Sequence, residues 1–218
     1  MTEQSEANGM HYLEKIIAKL RALDDEGSKR LENGTLLIAE KKNRREGDLL
    51  FKHCINGALN DEQIARLEVE ILRKLPVALR DLYHYSNGGF LFSSSFSWRG
   101  LREDYSRDPD KWLPISLSHG NTRGRPLEGE MGQERFADNS NQVRFGWYSN
   151  ADAEVYMLLD GDPKIYAAPR YKLEPVLYQW PDLETMFTTE VDRMIGLYHG
   201  RGGAVDSFNP LPAPWQQS

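Results

Sequence analysis

The sequence predicts an α+β fold, and three observations carry that reading. Apolar residues recur at helical spacing in four stretches, at 13–23, 60–75, 76–87 and 182–199. Between residues 90 and 180 the chain becomes rich in aromatic and β-branched residues, which favour strands. Inside that run lies Asp160-Gly161-Asp162-Pro163, a hairpin turn, since Gly takes positive φ freely and Pro cannot donate to a ladder. The strands beside it should pair antiparallel. A chain of 218 residues buries on the order of 70% of its unfolded surface, so one core without disulfides is the economical arrangement.

In chain order, residues 1–9 are polar and expected to fray, after which Leu13, Ile16, Ile17, Leu20 and Leu23 form one helical stripe. Turn formers fill 24–34, and Thr35-Leu36-Leu37-Ile38 suggests a short strand. Lys41, Lys42, Arg44 and Arg45 lack interleaved aromatics and suit a solvated loop better than a phosphate contact. Asn60 and Gln63 have the spacing of a capping box. Ile64, Leu67, Ile71, Leu72 and Leu75 then mark a buried face, with Glu68, Glu70 and Arg73 outside it. Pro76 ends that helix and suits the first turn of the next, which carries Leu79, Leu82 and Tyr83 inward and closes at Asn87-Gly88-Gly89. Strands are expected at 90–92, 96–101, 113–117, 143–148, 154–159, 164–168 and 175–180, separated by long polar loops at 102–111 and 118–142. Asp182 caps a last helix with Leu183, Met186, Phe187, Val191, Met194, Ile195 and Tyr198 inward, ended by Gly200.

Composition excludes several classes of protein. One cysteine, Cys54, forms no internal disulfide, which suits a reducing, cytoplasmic setting. The first 25 residues are too charged for a signal peptide, and no apolar run approaches a membrane span, so no membrane partner is expected. With 27 Lys+Arg against 33 Asp+Glu the formal charge is −6, the wrong sign for a general nucleic-acid binder and the right one for a basic partner.

Chemistry is sparse. The histidines His11, His53, His84, His119 and His199 show no metal-ligand spacing, and no three or four ligands group as zinc requires. Ser93-Ser94-Ser95 lies outside any nucleophile-elbow pattern. His53 beside Cys54 is the one pair that suggests catalysis, but neighbours in an extended segment point to opposite faces, which makes Cys54 a structural thiol. Asp160 and Asp162 are accounted for by the turn, and Gly120 to Gly129 matches no phosphate loop. No catalytic residue, metal or cofactor is expected.

From residue 56 onward the signals form a connected series. It runs through INGALNDEQIARLEVEIL with Leu67-Glu68, LPVALRDLYHYSNGGFLF, FSWRGL, FGWYSNADAEVYMLLD and WPDLETMFTTEVDRMIGLY. In order and spacing this series resembles the SUKH superfamily, which comprises bacterial toxin-immunity proteins and the fungal Smi/Knr-type regulators of cell-wall assembly. The resemblance covers about residues 55–200. It departs at residues 1–54, which have no clear counterpart, in the enlarged 102–142 region, and in SNADAEV where the family often has a Ser-Asn-Gly-Asp-type turn.

The resemblance implies helices packed on one face of a mainly antiparallel, strongly curved sheet, used as a protein-binding module without cofactor. The expected organisation is an N-terminal extension at 1–54 with one amphipathic helix packed on or preceding the core, a SUKH-like domain at 55–200, and a Gly/Pro-rich tail at 201–218. The implied function is neutralisation of a cognate toxin by direct binding, as a monomer or weak homodimer. The alternative is a regulatory scaffold for an endogenous partner. Leu75, Pro76, Gly88, Gly89, Trp98 and Trp180 are read as fold determinants. The partner surface is placed on Asp104, Tyr105, Asp108, Asp110, Trp112, Glu128 and Glu130, where carboxylates sit beside aromatics that packing does not require.

Overall fold

A computed structural model of the protein describes residues 10–23, 27–41, 49–104, 112–118, 121–123, 136–137, 141–170, 172 and 174–216. The first apolar stripe forms α1 (Tyr12–Leu23), burying Leu13, Ile16 and Leu20. β1 (Ser28–Arg30), β2 (Leu36–Glu40) and β3 (Phe51–Ile55) follow, where the sequence pointed only to 35–38. β1 is exposed along its length and β3 buried along its length, so neither shows the alternation that marks a half-buried strand. Then come α2 (Asp61–Glu70), α3 (Val77–Tyr85), β4 (Gly89–Leu91), β5 (Phe96–Trp98), a small separate pair β6 (Thr122–Arg123) and β7 (Phe136–Ala137), β8 (Gln142–Tyr148), β9 (Ala153–Leu158), β10 (Ile165–Pro169), β11 (Tyr178–Trp180) and α4 (Leu183–Gly200).

Nine strands make one sheet in the order β1-β2-β3-β4-β5-β8-β9-β10-β11. Every neighbouring pair is antiparallel, including β9 and β10 across the Asp160–Pro163 turn, where Gly161 has φ +92°. β3 pairs with β4 through Cys54↔Phe90 and Ile55↔Gly89, so the boundary expected after residue 54 falls inside a strand of the common sheet. All four helices bury their stripes in one apolar cluster with the sheet, where Phe187 meets Phe96 and Trp98 edge-on at 5.8 and 5.4 Å. Leu37, Cys54 and Phe90 alternate along their strands with Leu36, Ile55 and Leu91 of that cluster, so they occupy the sheet's other face. There they form a smaller cluster with Phe51 and Trp112 that, among the described residues, contains no helix residue.

The expected capping box is present: the Gln63 N–H donates to Asn60 Oδ1 at 2.9 Å and the Asn60 N–H to Gln63 Oε1 at 3.0 Å. α2 nevertheless ends at Glu70 rather than reaching Leu75, because Leu72 turns left-handed at φ +57°. Glu68, expected on the exposed side, is 4% exposed and holds the link to α3 together. Its carboxylate accepts the Leu75 N–H at 3.0 Å, Lys74 Nζ at 2.6 Å and Arg80 Nη1 at 3.2 Å. Pro76 then caps α3 with extended ψ 147°.

Other departures have equally local causes. Residues 113–117 form a single parallel bridge, Gly100↔Ser116, since Pro114 brings no N–H to a ladder. Pro175 likewise delays the last strand to Tyr178. Lys41 is buried at the end of β2 rather than solvated, while Lys42, Arg44 and Arg45 lie outside the described residues. The C-terminal segment is largely irregular but well packed: Val205, Leu211 and Ala213 join the main core, and the Leu211 N–H donates to Ser95 Oγ at 2.8 Å.

Candidate partner-binding surface

The motif residues Asn87, Gly88 and Gly89 build the turn that carries α3 into the sheet. The Asn87 amide donates to the Leu101 carbonyl at 2.9 Å and accepts the Leu101 N–H at 2.6 Å. A Cβ on Gly100 would lie 2.2 Å from Asn87 Oδ1, and one on Gly89 2.2 Å from the Cys54 carbonyl. The Asn-Gly-Gly turn and the end of FSWRGL therefore lock together, and this lock launches the long connection that begins at residue 101. Arg66 of α2 pairs with Glu103 at 2.7 Å, fixing the first step of that connection.

Of the residues assigned to the partner surface, Tyr105, Asp108, Asp110, Glu128 and Glu130 lie outside the described residues. Asp104 is half-buried, and its carbonyl accepts Arg102 Nε at 3.2 Å. Trp112 is half-buried on that second face of the sheet, opposite the main core, with Phe51 at 6.0 Å, edge-on, and Phe90 at 5.9 Å. Packing against the sheet thus uses part of this indole and leaves the rest at the surface.

The same face carries a polar layer that the sequence reading missed. Arg99 Nη2 pairs with Glu154 at 2.7 Å, Arg144 approaches the same carboxylate at 3.7 Å, and the Arg99 guanidinium lies 5.3 Å from the Trp147 ring. Asn121 ties the long connection to β8, accepting the Arg144 N–H at 2.9 Å and donating to the Arg144 carbonyl at 2.9 Å. Arg99 and Glu154, with Trp147, Ser149, Asp152 and Arg170, line a cavity of about 430 Å³. The available signal was the alternation of Ser97 and Arg99 with Phe96 and Trp98, which sets polar groups on the face opposite the core.

His53 and Cys54 behave as packing residues. His53 Nδ1 accepts the Phe92 N–H at 3.2 Å, and burial, reinforced by Lys52 and Lys41, pushes its pKa down to about 3. Burial pushes the Cys54 thiol up, and its Sγ contacts Asn56 Oδ1 at 3.4 Å on the other face of the sheet. A neutral imidazole and an un-ionised thiol on opposite faces form no nucleophile–base pair. Among the described residues no three His, Cys, Asp or Glu side chains group as metal ligands, and no helix is long and apolar enough to cross a membrane. Comparison with known proteins finds no matching family model, no matching curated protein and no matching solved structure.

Proposed function

We propose that the chain is a SUKH-type immunity protein that neutralises a cognate bacterial toxin in the cytoplasm by direct binding, without catalysis or a cofactor, as a monomer or weak homodimer. The observation that carries this reading is the ordered motif series from residue 56, whose pieces fall in chain order on α2, α3 with β4, β5, β8 with β9, and α4. The charge of −6 supports a basic partner, since long-range attraction speeds encounter. The free, buried Cys54 supports a reducing compartment.

The test is rescue. A toxin gene encoded beside this one is expressed in cells with and without the chain, and the two purified proteins are mixed at defined ratios. Survival together with a stoichiometric complex is the expected result. Growth arrest that the chain does not relieve, with no complex formed, would overturn the immunity reading in favour of a scaffold for an endogenous partner.

A further inference from the structure

α3 turns Ala78, Asp81 and Tyr85, spaced i, i+3 and i+7 on one helical face, toward a cavity of about 520 Å³. The start of α1 closes it with His11 and Tyr12, and the start of α4 with Asp182 and Glu184. The lining of this cleft is mainly acidic: it includes Asp81, Asp182 and Glu184 and, among the described residues, no Lys or Arg, while its histidine His84 turns Nε2 toward Asp61 at 3.4 Å. Asp182 accepts the Thr185 N–H at 2.7 Å as a helix cap. Asp81 and Glu184 carry no ion pair or side-chain hydrogen bond among the described residues.

The rest of the lining is His11, Tyr12 and Tyr85, with His84, Ala78 and Leu183 beside them. His11 lies on Tyr85 with ring centroids 3.5 Å apart and planes 7° apart. Its ring is held because Nδ1 accepts the Leu13 N–H at 3.3 Å while its carbonyl accepts the Glu14 N–H at 2.9 Å. Burial keeps the His11 imidazole below its ordinary pKa against the pull of Glu14, Glu184 and Asp81, so near neutral pH it does not neutralise the carboxylates. Among the described residues the Tyr12 hydroxyl is enclosed without a partner. At the rim Tyr85 is 47% exposed, and Met10 and Val77, chain neighbours of His11 and Ala78, are 59% and 74% exposed. Exposed apolar side chains in the chain segments that form a mainly acidic cleft fit a protein contact.

We propose that this cleft is the docking pocket for an arginine side chain of a basic protein partner, with its guanidinium against the His11–Tyr85 stack and paired to Asp81 and Glu184. A guanidinium suits the cleft better than an ammonium, because its plane stacks on aromatic faces and its five N–H donors fork between acceptors. The inference rests on the protein-binding reading above and names the chemistry of the partner.

The probe is acetyl-hexaarginine amide, titrated into the full chain at about 0.15 M salt, where exposed charges are largely screened. Amide NMR shifts are expected at His11, Tyr12, along α3 and at the start of α4. Asp81→Asn/Glu184→Gln should weaken binding by roughly fivefold or more, and Tyr85→Ala by roughly threefold. The control Glu32→Gln/Glu40→Gln makes the same change in charge at two exposed sites of the β1–β2 region and should stay within about twofold. Circular dichroism confirms that each variant keeps its fold.

Equal weakening by the control, shifts centred elsewhere, or equal affinity for hexalysine would overturn the proposal. The titration does not involve the toxin. A wild-type chain that fails to rescue defeats the immunity reading alone, whereas a failed titration with rescue intact defeats the arginine pocket alone.

Discussion

At Gly89 a Cβ would sit 2.2 Å from the Cys54 carbonyl and 2.7 Å from the Trp98 ring, inside the β3–β4 pairing. At Gly88 the constraint is conformational, φ +89°, with the Pro114 side-chain Cβ and the Trp98 carbonyl oxygen each 3.0 Å from an added Cβ. Gly161 shares the positive φ, at +92°, but has nothing within 4 Å. These three sites separate steric clash from backbone strain. Gly161→Ala should cost about 1 kcal/mol from strain, Gly88→Ala about 1–3 kcal/mol, and Gly89→Ala about 3 kcal/mol or more, because backbone cannot move aside as a side chain can. Urea unfolding of the three variants measures the order, and a Gly161→Ala loss equal to that of Gly89→Ala would contradict it.

The α2–α3 pair depends on a carboxylate. Glu68 is enclosed by partners from the link it stabilises, whereas Lys74, one of those partners, has a side chain 84% exposed. A solvated ammonium contributes little to an ion pair, but a buried carboxylate that accepts a backbone N–H holds the turn in place. Glu68→Ala should therefore destabilise by about 3 kcal/mol and Lys74→Ala by less than about 1 kcal/mol. Thermal unfolding of both variants checks this, and equal losses would mean that the surface pair dominates. The helical period alone gave no hint of this role, since at the sequence level Glu68 differs little from Glu70.

Across the whole molecule, two buried groups make stability depend on acid. The folded pKa of His53 is about 3, below its unfolded value near 6.5. Between those values the unfolded chain binds a proton that the folded chain refuses, so stability falls as pH drops through that window. The slope is at most about 1.4 kcal/mol per pH unit. Burial alone would raise the Glu68 carboxyl, but hydrogen bonds from Lys74 and the Leu75 N–H, with the charges of Lys74 and Arg80, hold it below its usual range. Its contribution is present above the unfolded value near 4.5 and is lost as pH falls through the folded one. Urea midpoints should thus be highest above pH 7 and decline from about pH 6.5 downward. His53→Asn, which can still accept the Phe92 N–H, should flatten the decline between about pH 6 and 4. An unchanged slope in that variant would remove His53 as its source.

The sequence by itself determined the elements whose cause is local. The Asn60–Gln63 box, the Asp182 cap, the Asp160–Pro163 hairpin and the α4 stripe each follow from side chains within one or two turns of each other. Only the tertiary structure decided what depends on partners far along the chain. β1 and β3 exist as strands because β2 and β4 pair with them. Glu68, Arg99 and Glu154 are buried because residues 7 to 55 positions away meet them. The acidic cleft likewise brings together His11, just before α1, with Asp81 of α3 and Glu184 of α4, whose separations in sequence carry no periodic signal. Backbone propensity and capping act over a few residues, whereas burial and charge pairing act through space, and a linear pattern records only the first.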